Sequence, residues 1–210
     1  MLELFGSALV TFLVIIDPPG CAPIFASLTS GAPPAQRRAM ALRASLVAWI
    51  ILMFFALLGR PMLHALGISL ASFRIAGGVM LFMIALDMVF ERRTQRRETR
   101  AHEIEGTPAA EDISVFPMAI PMIAGPGSIA SAMLLVSRAE TPVHTIIVLA
   151  AITVVIVLTA FALLASGAIM RFIGERIEAM ITRILGVILA ALAAQFIVDG
   201  LKQSFPSVLA

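Results

Sequence analysis

The sequence has few charged residues. Asp, Glu, Lys and Arg make up 13% of the 210 residues, compared with about 25% in a typical soluble domain. Apolar residues make up 60%, and the mean hydropathy is +1.02. So few charges cannot coat a water-facing surface, which excludes a soluble globular enzyme, and the abundant apolar surface excludes an intrinsically disordered chain. The composition therefore predicts a polytopic membrane protein.

The motifs of several other protein classes are also missing. A single cysteine, Cys21, excludes an internal disulfide, a four-cysteine metal site and a CxxC redox pair. The pI of about 9.5 does not indicate nucleic-acid binding, because the arginines lie between apolar runs rather than in one patch. The sequence contains no G-x-x-x-x-G-K-[ST] loop, no H-E-x-x-H motif and no Ser/His pair inside an apolar run. We therefore expect neither direct ATP drive nor an enzyme.

Six apolar stretches are long enough to cross a bilayer, which takes about 20 helical residues. They are residues 5–28, 44–58, 71–89, 115–137, 145–170 and 180–201. The first stretch has no preceding basic residue and no small-residue cleavage site, so we expect it to remain in the mature protein. The predicted fold is an all-α bundle of six transmembrane helices.

The basic residues predict the orientation of the bundle, because cytoplasmic loops are enriched in Lys and Arg. With the N-terminus outside, the outer loops hold four basic residues: Arg60, Arg74, Arg138 and Lys202. The inner loops then hold eleven: Arg37, Arg38, Arg43, Arg92, Arg93, Arg96, Arg97, Arg100, Arg171, Arg176 and Arg183. Both termini are therefore predicted to be periplasmic.

The two halves of the chain resemble each other. Residues 16–20 match residues 123–127 at an offset of 107 positions, and residues 74–77 match residues 183–186 at an offset of 109. Three spans per half place the second half upside down, so we predict an inverted 3+3 repeat of the kind found in many transporters. The repeats would comprise residues 1–90 and 114–210, joined by a charged cytoplasmic linker at 91–113 that is partly disordered.

Spans one and four each contain a Pro-Gly site that disfavours an uninterrupted helix. Irregular backbone at membrane depth requires surrounding protein or a watery cavity, and the half-helix after each break directs a positive N-terminus into it. Two such termini would bind an anionic group such as a carboxylate; the alternative is that the prolines only kink packed helices. The candidate binding residues are Asp17, Pro19, Gly20, Cys21, Gly125, Pro126, Gly127 and Ser128.

Individual side chains at these breaks have alternative roles. The carboxylate of Asp17 could bind a coupling cation, carry a proton or meet a substrate ammonium group, or it could only cap the helix that follows. Ser128 and Ser131 could offer hydroxyl groups to a ligand or bond to their own backbone. Asp87 and Asp199 lie near span ends, where solvation explains them equally well.

Several motifs are similar to those of one family. They are Asp17-Pro18-Pro19-Gly20 with Pro23-Ile24-Phe25, residues 73–78, residues 116–121, Ala124-Gly125-Pro126-Gly127-Ser128, residues 166–171, residues 177–179 and residues 195–200. Together they cover essentially the whole chain, and the Ala-Gly-Pro-Gly segment is specific. In these motifs the sequence resembles the MarC family of bacterial inner-membrane proteins. One departure is Cys21, where many relatives carry asparagine, and substrate specificity would differ if that asparagine contacts the substrate.

The resemblance implies six spans, periplasmic termini, kinship with the LysE-type exporter superfamily and a link to small neutral amino acid transporters. Our first hypothesis is a secondary transporter of a small polar solute such as glycine or alanine, with no cofactor beyond a coupling proton or sodium ion. The carboxylate of the solute would lie at the helix N-termini at Gly20 and Gly127, and Asp17 would lie near its ammonium group or near the coupling ion. The alternatives are a divalent-cation exporter that uses Asp17 with Asp87 or Asp199, and a membrane scaffold that binds partners through the linker.

Overall fold

In the computed structural model, residues 1–91, 99, 112–139, 141–172 and 174–205 are described, and their regular structure is entirely helical. The apolar stretches predict this, because helices satisfy their own backbone hydrogen bonds in hydrocarbon. The helical segments are α1 (Leu2–Ile16), α2 (Pro18–Leu28), α3 (Pro34–Ala65), α4 (Leu70–Val89), α5 (Ser114–Ile123), α6 (Pro126–Ser137), α7 (Pro142–Leu164), α8 (Ser166–Phe172) and α9 (Gly174–Ser204).

Five helical stretches of the described chain are long and apolar enough to cross a membrane, and α5 with α6 forms a sixth, bent by 54°. The outer faces of these helices are apolar. On α3 the exposed side chains include Leu46, Ile50 and Phe54, whereas the buried face is lined mainly by alanine and Gly59. Large apolar groups outside and small residues inside are typical of helices that pack against one another in lipid.

The two interrupted spans occupy the centre of the bundle. In the Leu2–Leu28 stretch, 72% of the most apolar window is buried, compared with 28–39% in the other long helices. Eight of the twelve residues of α6 are buried as well. The α1–α2 stretch packs on α7 and the α5–α6 stretch packs on α3, while α4 packs along α9. At Asp17, Gly20, Gly125 and Gly127 the interrupted backbone is buried in protein, as its unpaired polar groups require, whereas Phe116 and Ile120 of α5 are exposed.

The α4–α9 pair carries matching glycine contacts. A methyl group on Gly78 would lie 2.9 Å from the carbonyl oxygen of Ala193, and one on Gly186 would lie 3.1 Å from the carbonyl oxygen of Ala85. Gly78 and Ala85 each lie 108 positions before Gly186 and Ala193. If each residue is replaced by its equivalent in the other half of the chain, the contact of Gly78 with Ala193 becomes the contact of Gly186 with Ala85. An inverted repeat predicts this relation. The repeat itself stays a prediction.

Three helices differ clearly in length from the predicted spans. The second span is longer, since α3 covers Pro34–Ala65. The fifth ends early, because α7 stops at Leu164, and a turn at Ala165 separates it from α8, although the apolar run continues. The sixth begins earlier, at Gly174. Most of the predicted linker, 92–98 and 100–111, lies outside the described residues, and the predicted orientation of the termini remains untested.

The glycine contacts predict a specific sensitivity. We expect Gly78→Ala to lower the free energy of unfolding by about 1–3 kcal/mol, because the added methyl group meets backbone atoms that cannot move aside. The measurement is thermal unfolding of the purified protein in detergent. Gly6→Ala is the matched control, since nothing lies within 4 Å of the added methyl group and alanine favours a helix. An equal loss in both variants would contradict close packing at Gly78.

Candidate functional site

The first interruption lies at Asp17, between α1 and α2. Its backbone is left-handed, with φ 58° and ψ 66°, a conformation that Asp and Asn adopt more readily than most residues because their short side chains bond locally. The side chain is 1% exposed, and its Oδ1 accepts a hydrogen bond from the Gly20 amide at 3.2 Å. Asp17 therefore ends one helix and caps the next, which is the alternative role that the sequence left open.

The beginning of α2 has few amide groups left to offer a ligand. Pro18 and Pro19 have no N–H, Gly20 donates to the Asp17 side chain, and Cys21 donates its amide to the Asp17 carbonyl at 3.0 Å. All the amides of this first turn are thus absent or already bonded. The structure does not support an anion at this helix N-terminus.

The second interruption follows an irregular segment. In α5, Phe116 and Ile120 have extended backbone, which is the conformation that a following proline favours. The amides of Met118 and Ala124 bond to carbonyls five residues earlier, so the turns are wide. The chain then straightens at Gly125 (φ −82°, ψ 172°) before α6 begins at Pro126. The result is the 54° bend between α5 and α6.

The beginning of α6 differs chemically from that of α2. The first turn of a helix has no intrahelical acceptors for its amides, and Gly125 brings no capping side chain. Among the described residues, no capping side chain therefore serves the buried N–H groups of Gly127 and Ser128. One turn later, the fully buried Oγ of Ser131 has no hydrogen-bond partner in the described part of the chain. Because side chains tilt toward the helix N-terminus, Ser131 leans back toward these amides.

The helices next to the two interruptions touch, since α1 packs against α6. A methyl group on Gly127 would lie 3.5 Å from the side chain of Ile15, two positions before Asp17, and nearer still to Ile84 and Leu81 of α4, at 2.6 and 3.3 Å. The side chains of Cys21 and Ser128 also play matching roles: Cys21 Sγ donates to the Ile16 carbonyl at 3.4 Å, and Ser128 Oγ donates to the Ile123 carbonyl at 2.8 Å. Each therefore bonds the last carbonyl of the preceding helix across its own break.

The structure thus brings most of the predicted site residues together. Those fully inside the bundle are Asp17, Gly20, Cys21, Gly125, Gly127 and Ser128. Pro19 is half-buried and Pro126 is exposed, so these prolines shape the backbone rather than line the centre. Ser128 uses its hydroxyl to bond the backbone, whereas the buried hydroxyl of Ser131 has no hydrogen-bond partner among the described residues.

A polar cluster joins the end of α6 to α9, and the sequence did not predict it. Arg138 forms an ion pair with Asp199 and lies 4.6 Å from the centre of the Phe196 ring. Gln195 donates to the same carboxylate at 2.7 Å. The sequence did contain a signal for this cluster, because Arg138 and Asp199 carry opposite charges at the outer ends of two predicted spans. Asp199 is therefore already neutralised, and within the described chain no three His, Cys, Asp or Glu side chains group as a metal site would require.

The apolar outer faces, the spanning helices and the two buried interruptions define the class of this protein: an integral, multi-pass α-helical membrane protein. Comparison with known families identifies the particular one. Residues 2–205 match the family described as "MarC family integral membrane protein". The chain therefore belongs to the MarC family.

Individual relatives match over nearly their full lengths. A UPF0056 membrane protein of Methanocaldococcus jannaschii is 36% identical over 201 residues, covering 96% of this chain and 97% of the relative. The Escherichia coli UPF0056 membrane protein YhcE is 35% identical, covering 95% and 93%. The UPF0056 inner membrane protein YhgN of the same species is 32% identical, covering 94% and 95%. No solved structure matches the chain.

The geometry of Asp17 predicts how its substitutions affect stability. We expect Asp17→Ala to lower the free energy of unfolding by about 2–3 kcal/mol, because alanine loses the helix cap and disfavours the left-handed backbone. Asp17→Asn keeps both properties and should stay within about 1 kcal/mol of the unaltered protein. Thermal unfolding in detergent measures both variants. Equal stability of the alanine variant would show that Asp17 is not an essential cap.

Proposed function

We propose that this protein is a secondary transporter of a small polar solute that carries a carboxylate group. The observation that carries the proposal is the pair of interruptions buried in the bundle, where α1 packs against α6. Membrane proteins retain irregular backbone and an ionisable side chain at such depth chiefly at solute and ion pathways. The continuous spans α3, α4, α7 and α9 enclose these interruptions.

The polarity of the two breaks suggests how the solute is oriented. The amides of Gly127 and Ser128 and the Ser131 hydroxyl are donors, and the N-terminus of α6 adds a partial positive charge. These groups suit a carboxylate. Asp17, across the neighbouring break, supplies negative charge to an ammonium group or to a coupling proton or sodium ion. A small neutral amino acid such as glycine or alanine carries both charges within a short distance and fits best.

The mechanism that follows is alternating access. If the halves form the predicted inverted repeat, rocking one repeat against the other exposes the paired breaks to each side of the membrane in turn. The proposal needs no catalytic residue. It uses only groups that bind or release the solute and the coupling ion as the halves move.

Substitution of Asp17 tests the charge requirement. We expect Asp17→Asn to reduce counterflow of radiolabelled glycine and alanine in proteoliposomes by about 100-fold, because a charged hydrogen-bonding partner contributes about 1.5–3 kcal/mol. The variant keeps the helix cap, so thermal unfolding and reconstitution should match the unaltered protein. Undiminished counterflow by the variant would remove Asp17 from the mechanism.

Substitution of Ser131 tests the proposed carboxylate site. Ser131→Ala removes a hydroxyl group without a protein partner, so stability should be unchanged or slightly raised, while glycine and alanine counterflow should fall about tenfold. Ser45→Ala is the matched control, since Ser45 is a buried serine on α3 whose Oγ bonds the Ala41 carbonyl at 2.9 Å. If both variants transport equally well, Ser131 does not contact the solute.

A further inference from the structure

A cavity lies away from the two interruptions. It has a volume of about 260 Å³ and opens where the end of α2, the start of α3 and the junction of α7 with α8 meet. The residues that line it are Phe25, Pro34, Arg37, Arg38, Leu163, Leu164, Ala165, Gly167 and Ala168. We call this cavity the arginine cleft. The proposed transport mechanism does not use it.

The charge of the arginine cleft is of one sign. Among the described residues that line it, Arg37 and Arg38 are the charged ones and none is acidic. Arg37 makes one long hydrogen bond, 3.5 Å from its Nη2 to the Oγ of Ser166. Among the described residues, no carboxylate forms an ion pair with either arginine, whereas Arg43, Arg138 and Arg183 are all paired. The cleft therefore presents two guanidinium groups without a counter-ion from the described chain.

The position of the arginine cleft along α3 places it at the edge of the bilayer. Arg43 and Arg60 bound the apolar segment of α3, and at 1.5 Å per residue they are about 26 Å apart along its axis. This distance is close to the thickness of the hydrocarbon layer, about 30 Å. Arg38 lies about 8 Å beyond Arg43 on the same helix, within the headgroup region. The exposed side chains between Arg43 and Arg60 include Leu46, Ile50, Phe54 and Leu57. Arg37 and Arg38 thus lie at the headgroup level of one leaflet and Arg60 at that of the other.

The remaining walls of the arginine cleft are apolar. Phe25 and Leu163 are buried, and Leu164 is 42% exposed on the outer surface of α7. Paired guanidinium groups bind phosphate through several charged hydrogen bonds, while an apolar wall open to the bilayer suits an acyl chain. We propose that the arginine cleft binds an anionic phospholipid, with its phosphate on Arg37 and Arg38 and its chain along Leu164.

The test uses the full-length protein in a neutral detergent and three probes. They are dioctanoyl phosphatidylglycerol, dioctanoyl phosphatidylcholine with the same chains and no net charge, and glycerol 3-phosphate with the phosphate and no chains. Apparent affinities come from thermal-shift titrations. We expect phosphatidylglycerol to bind at least about tenfold more tightly than either of the other probes, since only it has both the charge and the chains.

Variants then locate the binding. Arg37→Gln and Arg38→Gln should each weaken phosphatidylglycerol binding by about tenfold, and Arg38→Lys, which keeps the charge, should recover most of the loss. Arg60→Gln is the matched control, because it makes the same change of charge on the same helix at the opposite leaflet. If one of the two glutamine variants does not fold, the other glutamine variant and Arg38→Lys keep the test decisive.

Two results would overturn the proposal. Equal weakening by Arg60→Gln would mean that the lipid responds to overall charge rather than to the arginine cleft. Binding of glycerol 3-phosphate as tight as that of phosphatidylglycerol would make this a site for a soluble phosphate compound instead of a lipid. Neither result bears on transport, which depends on the interruptions near Asp17 and Gly127.

Discussion

The structure depends on one constraint, which is that an amide or carbonyl group without a hydrogen-bond partner is very costly in hydrocarbon. Continuous helices meet this constraint alone and can face lipid, as α3, α4, α7 and α9 do. An interrupted helix cannot, and the break residues Asp17, Gly20, Gly125 and Gly127 are therefore buried, with other helices packed against both interrupted spans. The small residues at the helix contacts, such as Gly78 and Gly186, follow from the same constraint because they let the enclosing helices approach closely.

Within that shared architecture, the two breaks differ in chemistry. At the first break an acidic side chain bonds the amide of the following helix, and prolines remove two further amides. At the second break glycine stands in the capping position, so the donors of α6 are not used by a side chain of the described protein. One break thus contributes negative charge and the other contributes donors. This asymmetry, set by Asp17 against Gly125, gives the centre of the bundle a direction along which a dipolar guest can be held.

Much of the fold could be predicted, because apolar length and Pro-Gly sites are local properties of the sequence. The end of α7 at Leu164 could not, since the apolar run continues into α8 and only the turn at Ala165 divides it. The prediction treated the two breaks as equivalent anion sites, although an Asp at one capping position and a Gly at the other already signalled a difference. The arginine cleft was beyond sequence reasoning. Its walls come from four helices in two parts of the sequence that are far apart. In the sequence, Arg37 and Arg38 indicated only which side of the membrane their loop faces.

The length of α3 has a mechanical consequence. The helix has 32 residues, about 48 Å at full length, and its apolar segment between Arg43 and Arg60 is about 26 Å long, slightly shorter than a hydrocarbon layer of about 30 Å. A helix in that position leans in a thin membrane and stands more upright in a thick one. Because α3 packs against α5 and α6, its tilt is passed directly to the bent span. The thickness of the host membrane is thus a physical variable for this protein, alongside the proposed solute and the proposed lipid.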